Sequence, residues 1–377
     1  MRLLVCAGGS GGGVYPALAI LRAAQEMDVV TEVLWIGGEG GMESALIERE
    51  QIPFAAIPAA GVHGVGLRTL PGNLLRLWRG LLSSRRLIRK FRPDVLLFTG
   101  GYVAVPVAFA GRRVLSLLYV PDIEPGLALK TLARFADRIC LIAENSKRYF
   151  SGRSNLTVTG HPTRKGLADW TREGARETLG LDASLRVLLV FGGSKGARSI
   201  NRAVLAILPQ LLSEMQVLHI SGDLDWAEAQ AAGEALPAEL APRYRAYPYL
   251  HEEMGAAYAA ADVILSRSGA SAVGEFPLFG KPAILVPYPY AWRYQKVNAD
   301  FLIEHGAALL LPNESLTDDL LETVRSLMQD EPRKQSMSAA MLSLAHPQAA
   351  QKIAGVLAGL AAGAGQRTER IAKRNRL

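Results

Sequence analysis

Arg2-Leu3-Leu4-Val5-Cys6-Ala7 runs into Gly8-Gly9-Ser10-Gly11-Gly12, and Arg186-Val187-Leu188-Leu189-Val190-Phe191 runs into Gly192-Gly193-Ser194-Lys195-Gly196. The two stretches share one plan. A basic residue precedes a continuous apolar run, the pattern of a parallel strand covered on both faces. A glycine-rich turn follows, then an apolar helical pattern, at 17–24 in the first copy and 200–212 in the second. A second strand comes next, EVLWI at 32–36 and QVLHI at 216–220, each stopping at a small-residue turn with glycine. Strand, glycine turn, helix and strand open a doubly wound α/β domain. Finding the unit twice predicts an α/β protein of two tandem Rossmann-like domains facing across a cleft.

Later strands are expected at 95–99 and 139–143 in the first half, and at 263–265 and 283–286 in the second. Gly160 and Pro162 punctuate the middle of the chain, which places the domains at 1–160 and 161–345. The remainder, 346–377, reads as an Ala-rich helix over 348–362 that packs back on the first domain. Its basic tail (Arg367, Arg370, Lys373, Arg374, Arg376) reads as a solvated end.

Composition agrees with this plan. At roughly 150 residues per domain, 377 residues allow two or three domains, and 49% hydrophobic residues are enough for two cores. Cys6 and Cys140 each sit in an apolar run and read as buried structural thiols. No Cys/His spacing suggests zinc, and a reducing compartment fits. The apolar start breaks at Gly8 after five residues, short of the roughly 7–15 of a signal sequence. No apolar run approaches the ~20 residues of a bilayer span, so neither export nor spanning is expected. The net charge of +7 is uneven: residues 51–93 contain no Asp or Glu but hold Arg68, Arg76, Arg79, Arg85, Arg86, Arg89, Lys90 and Arg92. That is a basic face, either simply solvated or suited to anionic lipid or phosphate. No nucleic-acid partner is expected.

Glycine-rich turns let backbone amides approach a phosphate, and the helix N-terminus behind them adds favourable partial charge. The first turn is not a dinucleotide fingerprint, because Val14 stands at the third glycine position of Gly9-x-Gly11-x-x. The second contains no GxG, and neither is followed by the Gly-Lys-Ser/Thr of a nucleoside triphosphatase. In the second half, Ser266-Arg267-Ser268-Gly269-Ala270 follows a strand and should open a helix that its small polar residues cap. Glu275 falls one and a half turns into that helix, where a carboxylate can accept hydrogen bonds from a ribose diol. After the constrained loop Pro287-Tyr288-Pro289-Tyr290, Gln295 and Asn298 stand at i, i+3, an amide pair suited to sugar hydroxyls.

On these residues the chain resembles the peptidoglycan N-acetylglucosaminyltransferases of the GT-B glycosyltransferase superfamily, from Arg2 to about Ala362. The resemblance is carried by GGSGGGVYPALA (8–19), GGYVAVP (100–106), GGSKGARSIN (192–201), SRSGA (266–270) with Glu275, and Gln295 with Asn298-Ala299. It implies inverting transfer of GlcNAc from UDP-GlcNAc to the muramyl C4 hydroxyl of a polyprenyl-diphosphate-linked muramyl peptide, lipid I, giving lipid II. The donor site would lie mainly in the second domain. There Ser194 would meet the diphosphate, Glu275 the ribose and Gln295 the GlcNAc hydroxyls, with Ser268, Gly269 and Asn298 beside them. The first domain's Gly9, Ser10, Gly11, Gly12 and Gly13 would hold the acceptor diphosphate. The resemblance implies catalysis without a metal; no Asp-x-Asp is read in the chain, so amides together with Arg164 and Arg267 are expected to meet the donor diphosphate, and no cofactor is expected. The segment 74–91 would face the anionic cytoplasmic surface of the membrane, making the protein peripheral there.

The departures lie mostly on the acceptor side. Gly13 stands where the family has His, and Tyr119-Val120-Pro121-Asp122 where it has His-Glu-Gln-Asn. On the donor side Lys195 replaces Gln, His161 replaces Asn and Tyr290 replaces His; Trp292 and Tyr294 sit in altered surroundings. An inverting transfer needs a group to receive the acceptor's proton. Asp122 and Glu124 are the candidates, with His63 third; a carboxylate in a cleft can serve if burial raises its pKa. Asp122 could instead cap a helix beginning near Glu124-Pro125. Two other readings stand beside the first: a GT-B transferase for a different lipid or glycan acceptor, and a non-catalytic UDP-sugar-binding homologue.

Overall fold

The apolar runs become strands of two separate sheets in the computed structural model. It describes all residues except 9, 10, 42, 62–65, 67, 194, 195, 290–293 and 375–377, and side chains of the C-terminal helix as far as 363. The first sheet contains β1 (Arg2–Cys6), β2 (Glu32–Gly38), β3 (Phe54–Ile57), β4 (Val95–Phe98), β5 (Leu115–Val120), β6 (Arg138–Leu141) and β7 (Leu156–Val158). The second contains β8 (Val187–Phe191), β9 (Gln216–Ile220), β10 (Tyr244–Tyr247), β11 (Val263–Ser266), β12 (Ala283–Leu285) and β13 (Ala308–Leu310). Their orders are β3-β2-β1-β4-β5-β6-β7 and β10-β9-β8-β11-β12-β13. Neighbouring strands pair in parallel throughout. The second sheet thus repeats the order of the first six strands, which is the tandem Rossmann-like architecture the sequence predicts.

Side chains alternate between faces along each strand, and in the first sheet both faces are covered. Leu3, Val5, Trp35, Leu97, Leu117 and Tyr119 pack under the helix Gly11–Glu26 and under Ile353 and Leu357 of the helix Ala349–Arg374. Leu4, Cys6, Ile36, Leu96, Phe98 and Val120 face the other way, toward Val103, Val107 and Leu132. Both cysteines are free and buried, and burial raises their thiol pKa values, which makes them inert packing groups. The second core joins β8, β9, β11 and β12 to Ile200, Val204, Leu211, Leu320 and Leu327.

One expected helix is two. The pattern at 200–212 divides into Arg198–Ala206 and Leu208–Leu212, because Pro209 in the second helix's first turn has no N–H to continue the ladder.

The chain divides into two compact units, Met1–Arg164 with Pro347–Leu377, and Lys165–His346. The final helix therefore belongs to the first unit. Its seam with Gly11–Glu26 is built of Ala19, Ala23, Ala24, Ala350 and Ala354, small side chains that let two helices approach closely. Among the described residues no helix is long and apolar enough to cross a membrane.

The seam makes opposite predictions for adjacent positions. Ala354 is fully buried, so Ala354→Leu should overpack it and cost about 1–3 kcal/mol. A Cβ on exposed Gly355 meets nothing, so Gly355→Ala should add about 0.4–1 kcal/mol by restricting the unfolded chain. Urea midpoints check both; a neutral Ala354→Leu would contradict the packing.

Candidate active site

Each sheet has one place where the strand order reverses, between β1 and β4 and between β8 and β11. Connections leave such a pair toward opposite faces, so a crevice opens beyond the carboxyl ends of the two strands. The register brings the paired ends level: Cys6 lies opposite Phe98, and Phe191 opposite Ser266. All four motif-bearing turns that follow these strands therefore gather at switch points.

In the first unit the helix begins at Gly11, so Gly11, Gly12 and Gly13 form its first turn. Thr99 Oγ1 at the end of β4 donates to the Gly13 carbonyl at 2.7 Å, locking the two turns together. Gly101 has φ +85°, and a Cβ there would stand 2.6 Å from the Gly8 carbonyl oxygen, so only glycine fits. Glu43, unsuspected from sequence, lies buried beneath this turn, where its Oε1 accepts from Gly38 N–H at 2.8 Å. Gly9 and Ser10 lie outside the described residues, as does His63.

Two substitutions that look unrelated in sequence prove to be one contact. Tyr119 Oη and His161 Nδ1 share a hydrogen bond of 3.0 Å, both residues being buried. Burial lowers the His161 pKa to about 4, while burial first, and the Asp122 charge second, push the Tyr119 phenol well above its usual range. The pair is neutral at physiological pH. Asp122 is half-buried in the turn after β5. It does not cap a helix at Glu124-Pro125: the next helix is Leu127–Ala133, with Gly126 at its N-cap. Glu124 is buried and its Oε1 is 3.2 Å from the Lys130 ammonium, an ion pair. Arg164 lies with its guanidinium 5.2 Å from the centre of the Tyr15 ring, beside the first turn of the helix Gly11–Glu26.

In the second unit, Gly196 (φ +73°) turns the chain where a Cβ would overlap the Ser221 carbonyl. A polar network anchors the helix that follows. Asn201 Nδ2 donates to the Ser221 carbonyl and to Asp225, both at 2.8 Å; its Oδ1 meets His219 Nε2 at 3.0 Å, and His219 Nδ1 meets Tyr244 Oη at 2.9 Å. Arg198 Nε also donates to Asp225 at 2.8 Å. Asp223-Leu224-Asp225 is an Asp-x-Asp that the sequence reading passed over; its buried Asp225 is engaged by Arg198 and Asn201 rather than set out as a ligand. Ser194 and Lys195 lie outside the described residues.

The helix Ala270–Phe279 starts at Gly269 with no side-chain cap. The expected capping serines are otherwise engaged: Ser266 Oγ donates to the Arg267 carbonyl and Ser268 Oγ to the Gln295 carbonyl at 2.7 Å. Without a side-chain cap, the first-turn amides and the helix dipole suit an anion. Arg267 is buried and clamps its surroundings. It donates to the carbonyls of Val286 (2.9 Å) and Pro287 (3.2 Å) and to Ser199 Oγ (2.7 Å), and Ser199 in turn donates to Asn313 Oδ1. Burial lowers its pKa to about 10, so it remains a cation at neutral pH and sets a positive potential behind the turns.

Asn298 is fully buried and donates to the Ser268 carbonyl at 3.1 Å, so it holds the loop rather than presenting an amide to a sugar. Gln295 Oε1 accepts from Tyr288 N–H at 2.9 Å, which leaves its Nε2 as the donor end. Glu275 is half-buried and receives Tyr258 Oη at 2.6 Å and Ser271 Oγ at 3.2 Å.

A pH dependence follows from the two buried imidazoles, His161 and His219, whose pKa values burial lowers from 6.5 to about 4. Between those values the unfolded chain binds protons that the folded one refuses. Stability is therefore complete above pH 6.5 and lost as pH falls toward 4, by on the order of 3 kcal/mol per histidine. Urea unfolding should show stability falling from pH 6.5 to 5, with a shallower slope in His161→Asn and His219→Asn. Equal slopes in all three proteins would contradict this.

Residues 3–141 match the glycosyltransferase family 28 N-terminal domain, and residues 187–353 its C-terminal domain. A protein of Roseiflexus sp. (strain RS-1) is 38% identical, covering 95% of this chain and 94% of its own length. One of Desulforudis audaxviator (strain MP104C) is 36% identical, covering 96% and 99%. Both are named UDP-N-acetylglucosamine–N-acetylmuramyl-(pentapeptide) pyrophosphoryl-undecaprenol N-acetylglucosamine transferase. The crystal structure of MurG from Acinetobacter baumannii superposes with a TM-score of 0.72 at 26% identity, covering 94% of this chain and 98% of that one. With two parallel-sheet domains and relatives matched along nearly its whole length, the chain is a GT-B glycosyltransferase and belongs to glycosyltransferase family 28.

Proposed function

We propose that this chain transfers GlcNAc from UDP-GlcNAc to the muramyl C4 hydroxyl of a polyprenyl-diphosphate-linked muramyl peptide, converting lipid I to lipid II. The observation that carries the reading is the second unit's switch point. The turn after β8 stands there beside the start of a helix without a side-chain cap; that helix carries the pinned carboxylate of Glu275, and the helix after it carries the amide of Gln295. These groups match the diphosphate, ribose and sugar of a UDP-hexose in kind. The turn amides and the helix N-terminus, backed by the buried Arg267 cation, would stabilise the charge that grows on UDP as it departs. Glu275 would accept from the ribose hydroxyls, and Gln295 Nε2 would donate to a sugar oxygen. The acceptor diphosphate would sit at the first turn of the helix Gly11–Glu26, which carries no acidic residue of its own.

The acceptor O4 attacks C1 of GlcNAc from the face opposite the leaving group. The bond from C1 to the phosphate oxygen breaks, UDP takes the electron pair, and the hydroxyl proton must pass to a base. Asp122 is the carboxylate we assign, because it is only half-buried after β5 whereas Glu124 is buried. With radiolabelled UDP-GlcNAc and a lipid I analogue, the protein should form lipid II and release UDP in equal amounts. Asp122→Asn should lower turnover by roughly 10²–10⁴ with little change in UDP binding. Wild-type turnover in that variant would remove Asp122 from the mechanism, and failure of the wild type to bind UDP-GlcNAc would end the reading.

The membrane assignment is part of the same proposal. The helix Leu70–Phe91 buries Gly80 and Ser84 and exposes Leu75, Trp78 and Leu82, spaced three and four apart, with Leu74 beside them, among exposed Arg76, Arg79, Arg85, Arg86, Arg89 and Lys90. Apolar insertion and attraction to anionic headgroups would act together there, holding the protein at the cytoplasmic face of the membrane as a peripheral enzyme. Vesicles of anionic lipid should sediment the protein, less so at high salt and less so for Trp78→Glu. Equal binding to neutral vesicles, unaffected by either change, would contradict it.

A further inference from the structure

The contact of Tyr258 with Glu275 is absent from any motif, yet it is among the shortest polar contacts at the second switch point. Tyr258 belongs to the helix Met254–Ala260, is 1% exposed, and donates its phenol proton to Glu275 Oε2 at 2.6 Å. Its ring packs against Phe191 (centroids 5.9 Å apart), Phe276 (5.7 Å) and Phe279 (5.2 Å). Phe191 is the last residue of β8 and adjoins Gly192, and it also meets Phe276 at 5.9 Å. Phe276 and Phe279 lie on the same helix as Glu275.

We infer that Tyr258 is a positioning residue for donor recognition. Its hydroxyl fixes the Glu275 carboxylate in the pose that receives ribose hydroxyls, and its ring ties that carboxylate to the strand that bears the glycine turn. A glutamate side chain has many rotamers, and ordering one on binding opposes affinity. Here the ordering is done before a ligand arrives. A charge-assisted hydrogen bond from a buried donor fixes one oxygen and Ser271 steadies the other. The aromatic cluster then seats the Tyr258 ring against the end of β8, next to Gly192, and against the helix that bears the carboxylate.

This inference rests on the proposed UDP-sugar site, and the test separates the two. Calorimetric titration of the full chain with UDP and with 2′,3′-dideoxy-UDP is compared for wild type and Tyr258→Phe, which keeps the ring and removes the hydroxyl. Wild type should prefer UDP. The variant should bind UDP about tenfold more weakly and dideoxy-UDP within about twofold of wild type, so that the preference collapses; its KM for UDP-GlcNAc should rise with kcat little moved. Retained dideoxy-UDP binding also shows that the variant is folded. An undiminished preference in Tyr258→Phe overturns the inference and leaves the site standing. Equal loss of both nucleotides also overturns it, since Tyr258 would then serve folding alone. A wild type indifferent to the ribose hydroxyls removes Glu275 from that role and the inference with it, and a wild type that binds neither nucleotide refutes the proposed site itself.

Discussion

Parallel pairing of β8 with β11, in a register that sets Phe191 beside Ser266, is the constraint on which the proposed donor site depends. The strand order reverses at that pair, so the chain leaves β8 and β11 toward opposite faces and leaves their carboxyl ends uncovered. A glycine turn and an uncapped helix start follow at the same level. The first sheet repeats the device at β1 and β4, with Cys6 beside Phe98. There Gly101 comes so close to Gly8 that a side chain would not fit. Backbone geometry thus creates the two crevices to which we assign the anions, before any functional side chain is considered.

The side chains around the second crevice work mostly on each other. Arg267 joins the loop after β11 to the end of β12 and, through Ser199, to Asn313. Asn298 and Ser268 join the same loop to the helix Tyr294–Glu304. Asn201, His219 and Tyr244 fix the helix after the glycine turn from below. Electrostatic recognition gains from dipoles that need not reorganise when a ligand arrives, and these contacts supply that rigidity. In the first unit, the Tyr119–His161 contact plays the same part with a pair of neutral groups.

Much of the fold was readable because its central strands are apolar on both faces. β1, β4, β8 and β11 stand out as continuous runs beside glycine turns. The edge strands do not: β10 is Tyr-Arg-Ala-Tyr, and β7 and β13 are three residues long with partly exposed side chains. β5 escaped notice for another reason, since Tyr119 and Val120 drew attention as altered motif residues although they end a buried strand. At the proposed site, Glu275 and Gln295 are picked out by type and spacing. Spacing could not show that Asn298 points inward, that Ser268 leaves the helix uncapped or that Arg267 is a clamp, because each depends on a partner 19 to 68 residues away. Tyr258, 17 residues before Glu275 in an alanine-rich helix, carries no local signature at all.

A crystal structure of the protein with UDP tests the central claim most directly. The diphosphate should lie within hydrogen-bond distance of backbone N–H groups in the turn after β8 and at the start of the helix Ala270–Phe279, with the ribose hydroxyls on Glu275. Nucleotide bound elsewhere, or a diphosphate held by side chains with those amides facing solvent, would contradict it.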